Sequence, residues 1–574
     1  MKKIWFKSVC LALAGLSVAS CGDYLQIYPL TMVYEDNYWN EKNDVDQIVA
    51  GCYTRMQDDD FMRRVFLWGE VRSDNVIYSG AKLRNPNVES DEAKFVNENI
   101  LSTNVYTSWA PFYSVIDRCN LVIEKVPEVA AADPSYLESD QLATIAEVSA
   151  LRALCYFYLV RTFKDVPYYT HAITNDEQPL NLPVTDGDVI LQNLITDLES
   201  VYPNALTAWP LQDGVDVSYG RITQNAIFAL LADMNLWIGN FTQAAYYADL
   251  VIKSKQEYFR QNRSYPSLTL DDVTWPLIPD NGPTYDRGLA YQYNFGMGAS
   301  AGGSEATSPE SIFELNFSND FNDGTAKGNP IVYSLFRNIA PGAEPDWGCY
   351  SPAASLETEA SSHSLFESEE DSRIAESICD EDGDYSIAKY LYSVITEDEE
   401  GELLYGFSLH SRNVANWVFY RVSEMMLIKA EALIYQMTDD GSEHDEELRR
   451  EAFDLINAVE ARSSESAESL LKYEDYMTKA SLVDLVYKER RREFLFEGKR
   501  WFDLVRRTRR DGNNTEYLIS QVRGKYTTAT TANKFGNYNA VYLPYNYDEV
   551  TVNDNLQQNP AYPEEGESYE STVE

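Results

Sequence analysis

The chain has 574 residues, of which 44% are hydrophobic and 24% charged, and it contains 41 Tyr and 10 Trp. So many large aromatic side chains argue against a disordered protein, because their burial is what offsets the entropy of the chain. The 91 acidic and 47 basic residues give a formal net charge of −44, which argues against a nucleic-acid partner and against binding to an anionic membrane through surface charge.

Residues 1–20 have the pattern of an export signal. Lys2, Lys3 and Lys7 form a basic start, and the apolar run over 9–16 is too short to span a bilayer. Small residues then lead directly to Cys21, an arrangement that resembles a bacterial lipobox, so we expect an acylated Cys21 that anchors the mature protein to a membrane. An ordinary signal peptide followed by a chance cysteine is the alternative. No later stretch reaches the roughly 18 apolar residues that a spanning helix needs.

The first periodic segments of the mature chain predict helices. From Trp109 to Ile123 the apolar residues recur at helical spacing, and Pro127 is expected to end this helix. A second helix follows, with an apolar face that runs from Ile145 to Leu159. These helices begin a predicted scaffold of helix pairs that occupies about 105–255.

A helical hairpin is predicted around Gly239. The apolar face of 227–238 stops at this glycine, and a helix rich in small residues begins directly after it with Phe241 and Ala244. Such a sequence lets two helices pack closely. The spacing Gly239-x-Phe241-x-x-Ala244 resembles half of a tetratricopeptide repeat, although the chain shows no strict period of 34 residues.

The pattern changes between about 256 and 415, where Gly, Ser, Pro and Asp become dense and periodic runs are short. This composition predicts a loop-rich subdomain with a few short strands, such as one over 311–317. Long structured loops carried by a rigid scaffold commonly hold binding sites. We therefore predict an irregular binding subdomain at about 256–415.

Helix pairs are predicted again at about 416–510. Residues 417–435 and 447–462 make one pair, and a polar break separates the two helices. The last pair is expected to begin at Ser481, with Asp484 three residues on as a variant of the capping box, and to turn at Gly498.

The ends of the folded part follow from composition. Residues 563–574 are rich in Pro, Glu and Ser and are predicted to form a disordered acidic tail. The folded domain is therefore expected to cover 21–562. Of its cysteines, Cys52, Cys119 and Cys155 fit small buried apolar positions, whereas a Cys349–Cys379 disulfide is an open alternative.

Several of these stretches resemble the SusD/RagB family of surface nutrient-binding lipoproteins. The two most specific are 420–432 (YRVSEMMLIKAEA) and 488–504 (KERRREFLFEGKRWFDL). Further matching segments, in the family's order, are Tyr38-Trp39 after Cys21, Trp109 to Asn120, Ala150 to Pro167, Arg221-Ile-Thr, and Leu543-Pro544 through to Tyr562. The resemblance covers nearly the whole mature chain apart from 256–410.

The resemblance implies a mostly α-helical fold of tetratricopeptide-like helix pairs with an irregular remainder. It also implies a lipoprotein of the outer membrane, facing the cell exterior, that hands oligosaccharides to a TonB-dependent receptor of the SusC-like kind. Members have no known catalytic chemistry, so we expect neither an enzyme nor a cofactor. Two alternatives stay open: a peptide ligand on the same fold, as in some branches of the family, and a cell-surface glycoside hydrolase.

Catalytic and metal patterns are weak in this sequence. The four histidines are isolated, and no zinc, nucleophile-elbow or phosphate-loop motif occurs. Glu424 and Glu431 share a helix face and could be read as a glycosidase pair, but neighbouring cations favour structural ion pairs, as they do for the charged residues of 489–500. Two acidic loops, at 320–324 and 380–384, lack the full calcium-loop pattern, so a structural calcium ion is only an alternative.

Sugar rings are bound by aromatic platforms together with polar partners on their rims. The candidate ligand-binding residues are the aromatic side chains of the irregular segments and an early polar pair: Trp275, Tyr285, Tyr291, Tyr293, Trp347, Tyr350, Asp74 and Asn75. Four other tryptophans lie on helical faces and are predicted to be core residues: Trp109, Trp237, Trp417 and Trp501.

Overall fold

α-Helices dominate this computed structural model, which describes residues 38–562 with gaps. The gaps are 81–86, 174–180, 211–217, 264, 271, 281–288, 296–307, 318–327, 339–345, 354–355, 357–364, 367–370, 382–383, 391, 398–402, 408–414, 464–470 and 527–532. The predicted signal peptide, Cys21 and the predicted acidic tail therefore lie outside the described residues.

The α-helices of the N-terminal half are α1 (Lys42–Met56), α2 (Asp59–Phe66), α3 (Asp91–Val96), α4 (Ala110–Ala132), α5 (Glu138–Phe163), α6 (Gly187–Val201), α7 (Gln224–Ile238) and α8 (Phe241–Gln261). Those of the C-terminal half are α9 (Leu289–Asn294), α10 (Pro330–Leu335), α11 (Arg373–Ser377), α12 (Val422–Gln436), α13 (Glu443–Ala461), α14 (Lys479–Glu493), α15 (Arg500–Arg510), α16 (Glu516–Val522) and α17 (Tyr547–Val552). A short π-helix, Leu67–Val71, follows α2 directly.

Short antiparallel strand pairs supplement the helices. They are β1 (Val76–Tyr78) with β9 (Tyr350–Pro352), β2 (Val166–Pro167) with β3 (Val184–Thr185), β4 (Thr269–Leu270) with β5 (Val273–Thr274), β6 (Ser311–Leu315) with β14 (Trp417–Arg421), β7 (Arg337–Asn338) with β8 (Asp346–Trp347), β10 (Ile378–Glu381) with β11 (Asp384–Ile387), and β12 (Tyr392–Glu397) with β13 (Leu403–Phe407). Two of these pairs, β1–β9 and β6–β14, tie the loop-rich segment to the helical scaffold.

The long helices stack side by side. Helix α4 packs between α1 and α5, α7 packs against α8, and α8 packs against α12, which in turn packs on α13 and α14. This order confirms the predicted mostly α-helical fold of tetratricopeptide-like pairs. The expectation that no stretch after the export signal is apolar enough to span a membrane is wrong for helix α5, which is long and apolar enough to do so. However, 94% of its most apolar window is buried inside the fold, as in the core helix of a folded protein.

Two glycines mark the tight turns of the helix pairs. Gly239 ends α7 with φ +86°, and Gly498 lies in the turn between α14 and α15 with φ +73°, so both sit in the left-handed region that favours glycine. Gly69 of the π-helix lies directly against this second turn, since a Cβ atom at Gly69 would stand 1.8 Å from the carbonyl oxygen of Gly498. The predicted turns at Gly239 and Gly498 are confirmed.

Three predicted element boundaries are wrong. Helix α4 continues through Pro127 to Ala132, because burial of Val126 and Val129 on the two sides of the proline outweighs one lost hydrogen bond. Trp417–Arg421 is not helical but forms β14, fully buried against β6. A short buried strand and a buried helix segment have the same apolar pattern, so periodicity alone does not separate them.

The third boundary is the start of α14. Thr478, not Ser481, is the N-cap: its side chain accepts a hydrogen bond from the backbone N–H of Ser481. The Ser481 hydroxyl in turn accepts a hydrogen bond from the backbone N–H of Thr478, at 3.2 Å. This reciprocal pair is a capping box in which serine takes the place usually held by Glu or Gln.

Free thiols and buried tryptophans bear on other predictions. Cys52, Cys119 and Cys155 are buried free thiols, as expected, and Cys349 is also a free thiol. The side chain of Cys379, the other member of the alternative disulfide, lies outside what the structure describes. The four tryptophans predicted to be core residues are all buried: Trp109, Trp237, Trp417 and Trp501.

Buried ion pairs join the scaffold to the loop-rich segment. The carboxylate of Glu493 contacts Arg421 and Arg462, and it lies 3.3 Å from Arg373. Burial alone would raise the pKa of Glu493, but the three guanidiniums outweigh burial and hold this pKa well below its usual range. Glu497 pairs in the same cluster with Arg421 at 2.9 Å and with Lys389 at 2.6 Å.

Glu98 is expected to make the protein sensitive to acid. Burial raises its pKa, but Arg72 and Lys534 outweigh burial and lower it from 4.5 to about 2. A lowered folded-state pKa stabilises the protein above the unfolded value, and this contribution of about 3 kcal/mol is lost as the pH falls from 4.5 toward 2. Urea unfolding at several pH values should show that Glu98→Gln flattens this acid slope. An unchanged slope would contradict the assignment.

Candidate ligand-binding site

Two clefts meet at the side chain of Trp275. The larger, of about 670 Å³, runs between α8 and α13 and is called the helix cleft. The smaller, of about 420 Å³, lies between the end of α8 and the β4–β5 hairpin and is called the hairpin cleft. Trp275 and Gln256 line both of them. An indole that lines two open clefts is suited to stacking on a flat ligand.

The β4–β5 hairpin holds Trp275 in place. The backbone N–H of Trp275 donates to the carbonyl of Leu268 at 2.8 Å, and the N–H of Leu268 donates to the carbonyl of Leu277 at 2.7 Å. Leu268 and Leu277 are both buried in the main core, so they fix the hairpin to the scaffold. Trp275 itself is half-buried and packs against the same core, which leaves part of its ring at the cleft surface.

Charged side chains dominate the helix cleft. Asp249, Glu443, Glu446, Glu447, Glu451 and Asp454 line it together with Lys253, Lys429 and Arg450. Part of this charge is internally paired, because the ammonium of Lys429 bridges Asp249 at 2.7 Å and Glu451 at 2.6 Å. The guanidinium of Arg450 lies 3.6 Å from the centre of the Tyr473 ring. The cleft as a whole carries an excess of negative charge.

The hairpin cleft combines aromatic and basic side chains. Arg260 and Arg263 line it, and Tyr265 lies on its wall. The Tyr265 ring stacks with Tyr258 at a centroid distance of 6.4 Å and meets Tyr293 edge-on at 5.7 Å. These rings cover a small separate core of Phe259, Ile278 and Ala290. The wall of the hairpin cleft is therefore aromatic and packed on a small core of its own.

Of the residues predicted to bind ligand, Trp275 and Tyr293 come together at this site. Trp275 lines both clefts, whereas Tyr293 stands behind Tyr265 and supports it. Tyr285 lies outside the described residues. Trp347 belongs to β8, and its side chain is likewise outside what the structure describes.

Asp74 and Asn75 are wrong as ligand contacts, because both are buried inside the fold. The Asp74 carboxylate accepts hydrogen bonds from Arg500 at 2.9 and 3.1 Å and pairs with Arg491 at 3.0 Å. Asn75 donates to Glu70 at 2.7 Å and accepts from Arg491 at 2.8 Å. These side chains connect the segment after the π-helix to α14 and α15.

Tyr291 and Tyr350 are also wrong as surface platforms. Tyr291 is 2% exposed, and its hydroxyl accepts a hydrogen bond from the backbone N–H of Tyr390 at 3.1 Å. Tyr350 is 1% exposed, and its ring packs near Phe66 in the main core. Neighbouring side chains cover the faces of both rings, so neither ring presents a face to a ligand.

The carboxylates considered as a glycosidase pair are structural. Glu424 pairs with Arg490 at 3.3 Å and with Lys499, and Glu431 pairs with Arg506 at 2.6 Å. These ion pairs confirm the structural interpretation, although the partners come from α14, α15 and the turn between them, and not from Arg421 and Lys429, the nearest cations in the sequence. The cavity beside Glu424 measures about 20 Å³, which is room for one water molecule and not for a sugar ring.

The acidic loops considered for calcium fall largely outside the described residues. Residues 320–324 are not described at all, and 382–383 are missing from the second loop. Within the described part of the chain, His, Cys, Asp and Glu side chains form no group of three that could hold a metal ion. The absence of a cofactor stays a prediction.

Sequence reasoning missed the polar side of the site. Lys253, Gln256 and Arg260 follow one another at helical spacing on α8, and Arg263 comes just after its end. The exposed face of α8 was readable from its periodicity. Its position against α13 was not, since α13 begins 182 residues after α8 ends and only the fold brings the two together.

The sequence of the chain is similar to the sequences of SusD proteins. The sequence profile of the SusD family matches residues 407–562. SusD-like protein P38 from Formosa agariphila is 26% identical over 533 residues, which cover 88% of this chain and 92% of that protein. The similarity therefore extends over nearly the full length of both chains.

Solved structures show the same fold. A SusD superfamily protein from Bacteroides thetaiotaomicron superposes with a TM-score of 0.62 at 21% identity, covering 92% of this chain and 99% of that one. Surface glycan-binding protein A from the same organism, in complex with laminarihexaose, superposes with a TM-score of 0.62 at 19% identity, covering 91% of this chain and 100% of that one. At these identities the likeness concerns the fold.

Proposed function

The chain belongs to the SusD/RagB family, and from this premise we propose that it captures oligosaccharides at the cell surface and delivers them to a TonB-dependent outer-membrane transporter of the SusC-like kind. A protein with the same fold, surface glycan-binding protein A, has been solved in complex with laminarihexaose. This complex supports a carbohydrate ligand. On this proposal the protein is not an enzyme, and its task ends with binding and transfer.

The observation that carries this proposal is the half-buried Trp275 at the meeting point of two open clefts. Sugar rings offer an apolar C–H face that stacks on an indole, while their hydroxyl groups bond to polar side chains on the rim. Gln256, Lys253 and Thr274 supply amide, ammonium and hydroxyl groups around the ring. Because Trp275 and Gln256 line both clefts, a chain of several sugars that stacks on the indole can contact residues of each cleft.

A panel experiment tests the proposed function. The purified protein is incubated with neutral and acidic oligosaccharides and, in parallel, with tri- to hexapeptides, and binding is measured by calorimetry. We expect binding to at least one oligosaccharide with a Kd of roughly micromolar to millimolar, because a shallow stacking site buries little area. We also expect no shortened products by mass spectrometry.

Other outcomes of the panel point elsewhere. Binding to peptides alone would contradict the proposed oligosaccharide ligand and favour the alternative, a protein of the same fold that binds peptides for import. Products that disappear when a carboxylate is replaced would identify a hydrolase instead. Because the carboxylates of Glu424 and Glu431 are already occupied by arginines, the structure gives no support to that second outcome.

The anchor is part of the same proposal. We infer that Cys21 is acylated and that the acyl chains hold the protein on the outer membrane, facing the exterior. Cys21→Ala should release the protein into the soluble fraction, and mass spectrometry of the wild-type protein should find an acylated N-terminal cysteine. A wild-type protein that is soluble and unacylated would refute the anchor but leave the ligand site untouched.

A further inference from the structure

We propose that the ligand is an acidic oligosaccharide, carboxylated or sulfated, whose anionic groups lie in the hairpin cleft beside Arg260 and Arg263. This inference rests on the proposed function and specifies its ligand. It also gives the ligand an orientation across Trp275, because the two clefts differ in charge.

The hairpin cleft is basic in a very acidic protein. The chain has 91 acidic and 47 basic residues, yet the described residues that line this cleft include Arg260 and Arg263 and neither Asp nor Glu. Both arginines lie at the surface, next to the aromatic wall formed by Tyr265. Guanidinium groups bind carboxylates and sulfate-like anions through paired hydrogen bonds, and an adjacent ring provides stacking for the sugar that carries the anion.

Arg263 is the stronger anchor of the two. Arg260 already pairs with Glu257, to which it donates hydrogen bonds of 2.9 and 2.5 Å. Within the described residues Arg263 forms no ion pair. The Arg260–Glu257 pair is exposed to solvent, and such pairs are weak, so an anionic ligand can compete with Glu257 for Arg260.

The helix cleft has the opposite charge. Six carboxylates and three basic side chains line it, and two of its carboxylates share the ammonium of Lys429. A sugar anion placed there would meet like charges, which costs binding energy. An acidic oligosaccharide that stacks on Trp275 is therefore directed with its charged sugars toward Arg263 and its neutral part toward α13.

Matched glycan pairs test this inference. The probes are β-1,4-mannohexaose with the β-1,4-mannuronate hexamer, xylohexaose with a glucuronic-acid-bearing xylohexaose, and agarose with carrageenan hexasaccharides. Calorimetry at low and at high salt should show that the anionic member of a pair binds at least about tenfold more tightly than the neutral one. This preference should shrink as salt screens the arginines. Carrageenan carries sulfate groups and the other two acidic probes carry carboxylates, so comparing them shows which anion the site prefers.

Charge-removing variants locate the effect. Arg263→Gln should lower the affinity for the preferred acidic probe about tenfold and leave neutral probes unchanged. Arg523→Gln is the matched control, since Arg523 is an exposed arginine that lines neither cleft, and this variant should bind the acidic probe as well as the wild type. Equal loss in both variants, or tight neutral binding without any acidic preference, would overturn the inference while the proposed function stands. No binding to any glycan would overturn both.

Discussion

Glu493→Gln is expected to lower the free energy of unfolding by about 3–5 kcal/mol, which is the usual result of breaking a buried ion pair from one side. The carboxylate of Glu493 contacts Arg421, Arg462 and Arg373, and all four side chains are at most 5% exposed. A glutamine keeps the shape but removes the charge that compensates three buried guanidiniums. Denaturant unfolding followed by far-ultraviolet circular dichroism measures the loss.

A surface substitution of the same kind is the control. Glu128→Gln removes an exposed partner of Lys125 and should cost less than about 1 kcal/mol. A double variant, Glu493→Gln with Arg462→Gln, should lose less than the sum of the two single losses, because it removes charges of opposite sign that face each other. If Glu493→Gln is as stable as Glu128→Gln, the cluster does not hold the scaffold to the loop-rich segment.

The helical scaffold was largely predictable because its signals are local. Apolar residues at helical spacing located α5, α7 and α8, and the glycine after α7 marked the turn without any knowledge of neighbours. The family resemblance added that these helices pair and stack. The stack itself, with α8 against α12, depends on contacts between distant segments and could come only from the fold.

The wrong boundaries share one cause. Pro127 was expected to end the helix, because proline removes a backbone hydrogen bond, but tertiary packing on both sides of it keeps α4 helical. Trp417–Arg421 has the apolar pattern of a buried helix, yet its partner is β6, about 100 residues earlier. In both cases the deciding energy comes from residues that no local window contains.

The same reasoning explains the candidate site. Trp275 was identified by its chemistry within a loop-rich segment, and the structure places it at two clefts. Asp74 has equally suitable chemistry for sugar binding, but its partners Arg491 and Arg500 lie more than 400 residues away. Composition reports which groups can bind a sugar; burial, which decides whether they are free to do so, is a property of the whole fold.

Trp275→Ala is expected to weaken oligosaccharide binding by about thirtyfold or more, which corresponds to about 2 kcal/mol for the loss of a central aromatic platform. The indole is the only aromatic side chain that lines both clefts among the described residues, so its removal separates the ligand contacts on the two sides. Titration calorimetry with the preferred glycan measures the change. In the wild-type protein the same titration should alter tryptophan fluorescence, because the stacked ring loses contact with water.

Two controls separate binding from folding. Tyr547→Ala removes another exposed aromatic side chain, which lines neither cleft, and its glycan affinity should match that of the wild type. Because Trp275 is half-buried and packs on the core, its alanine variant also loses some stability, so both proteins are measured well below their Tm. Trp275→Phe retains a flat apolar face and should recover part of the affinity. If Trp275→Ala lowers the Tm yet binds the glycan as the wild type does, the ring only supports the hairpin and the ligand binds elsewhere.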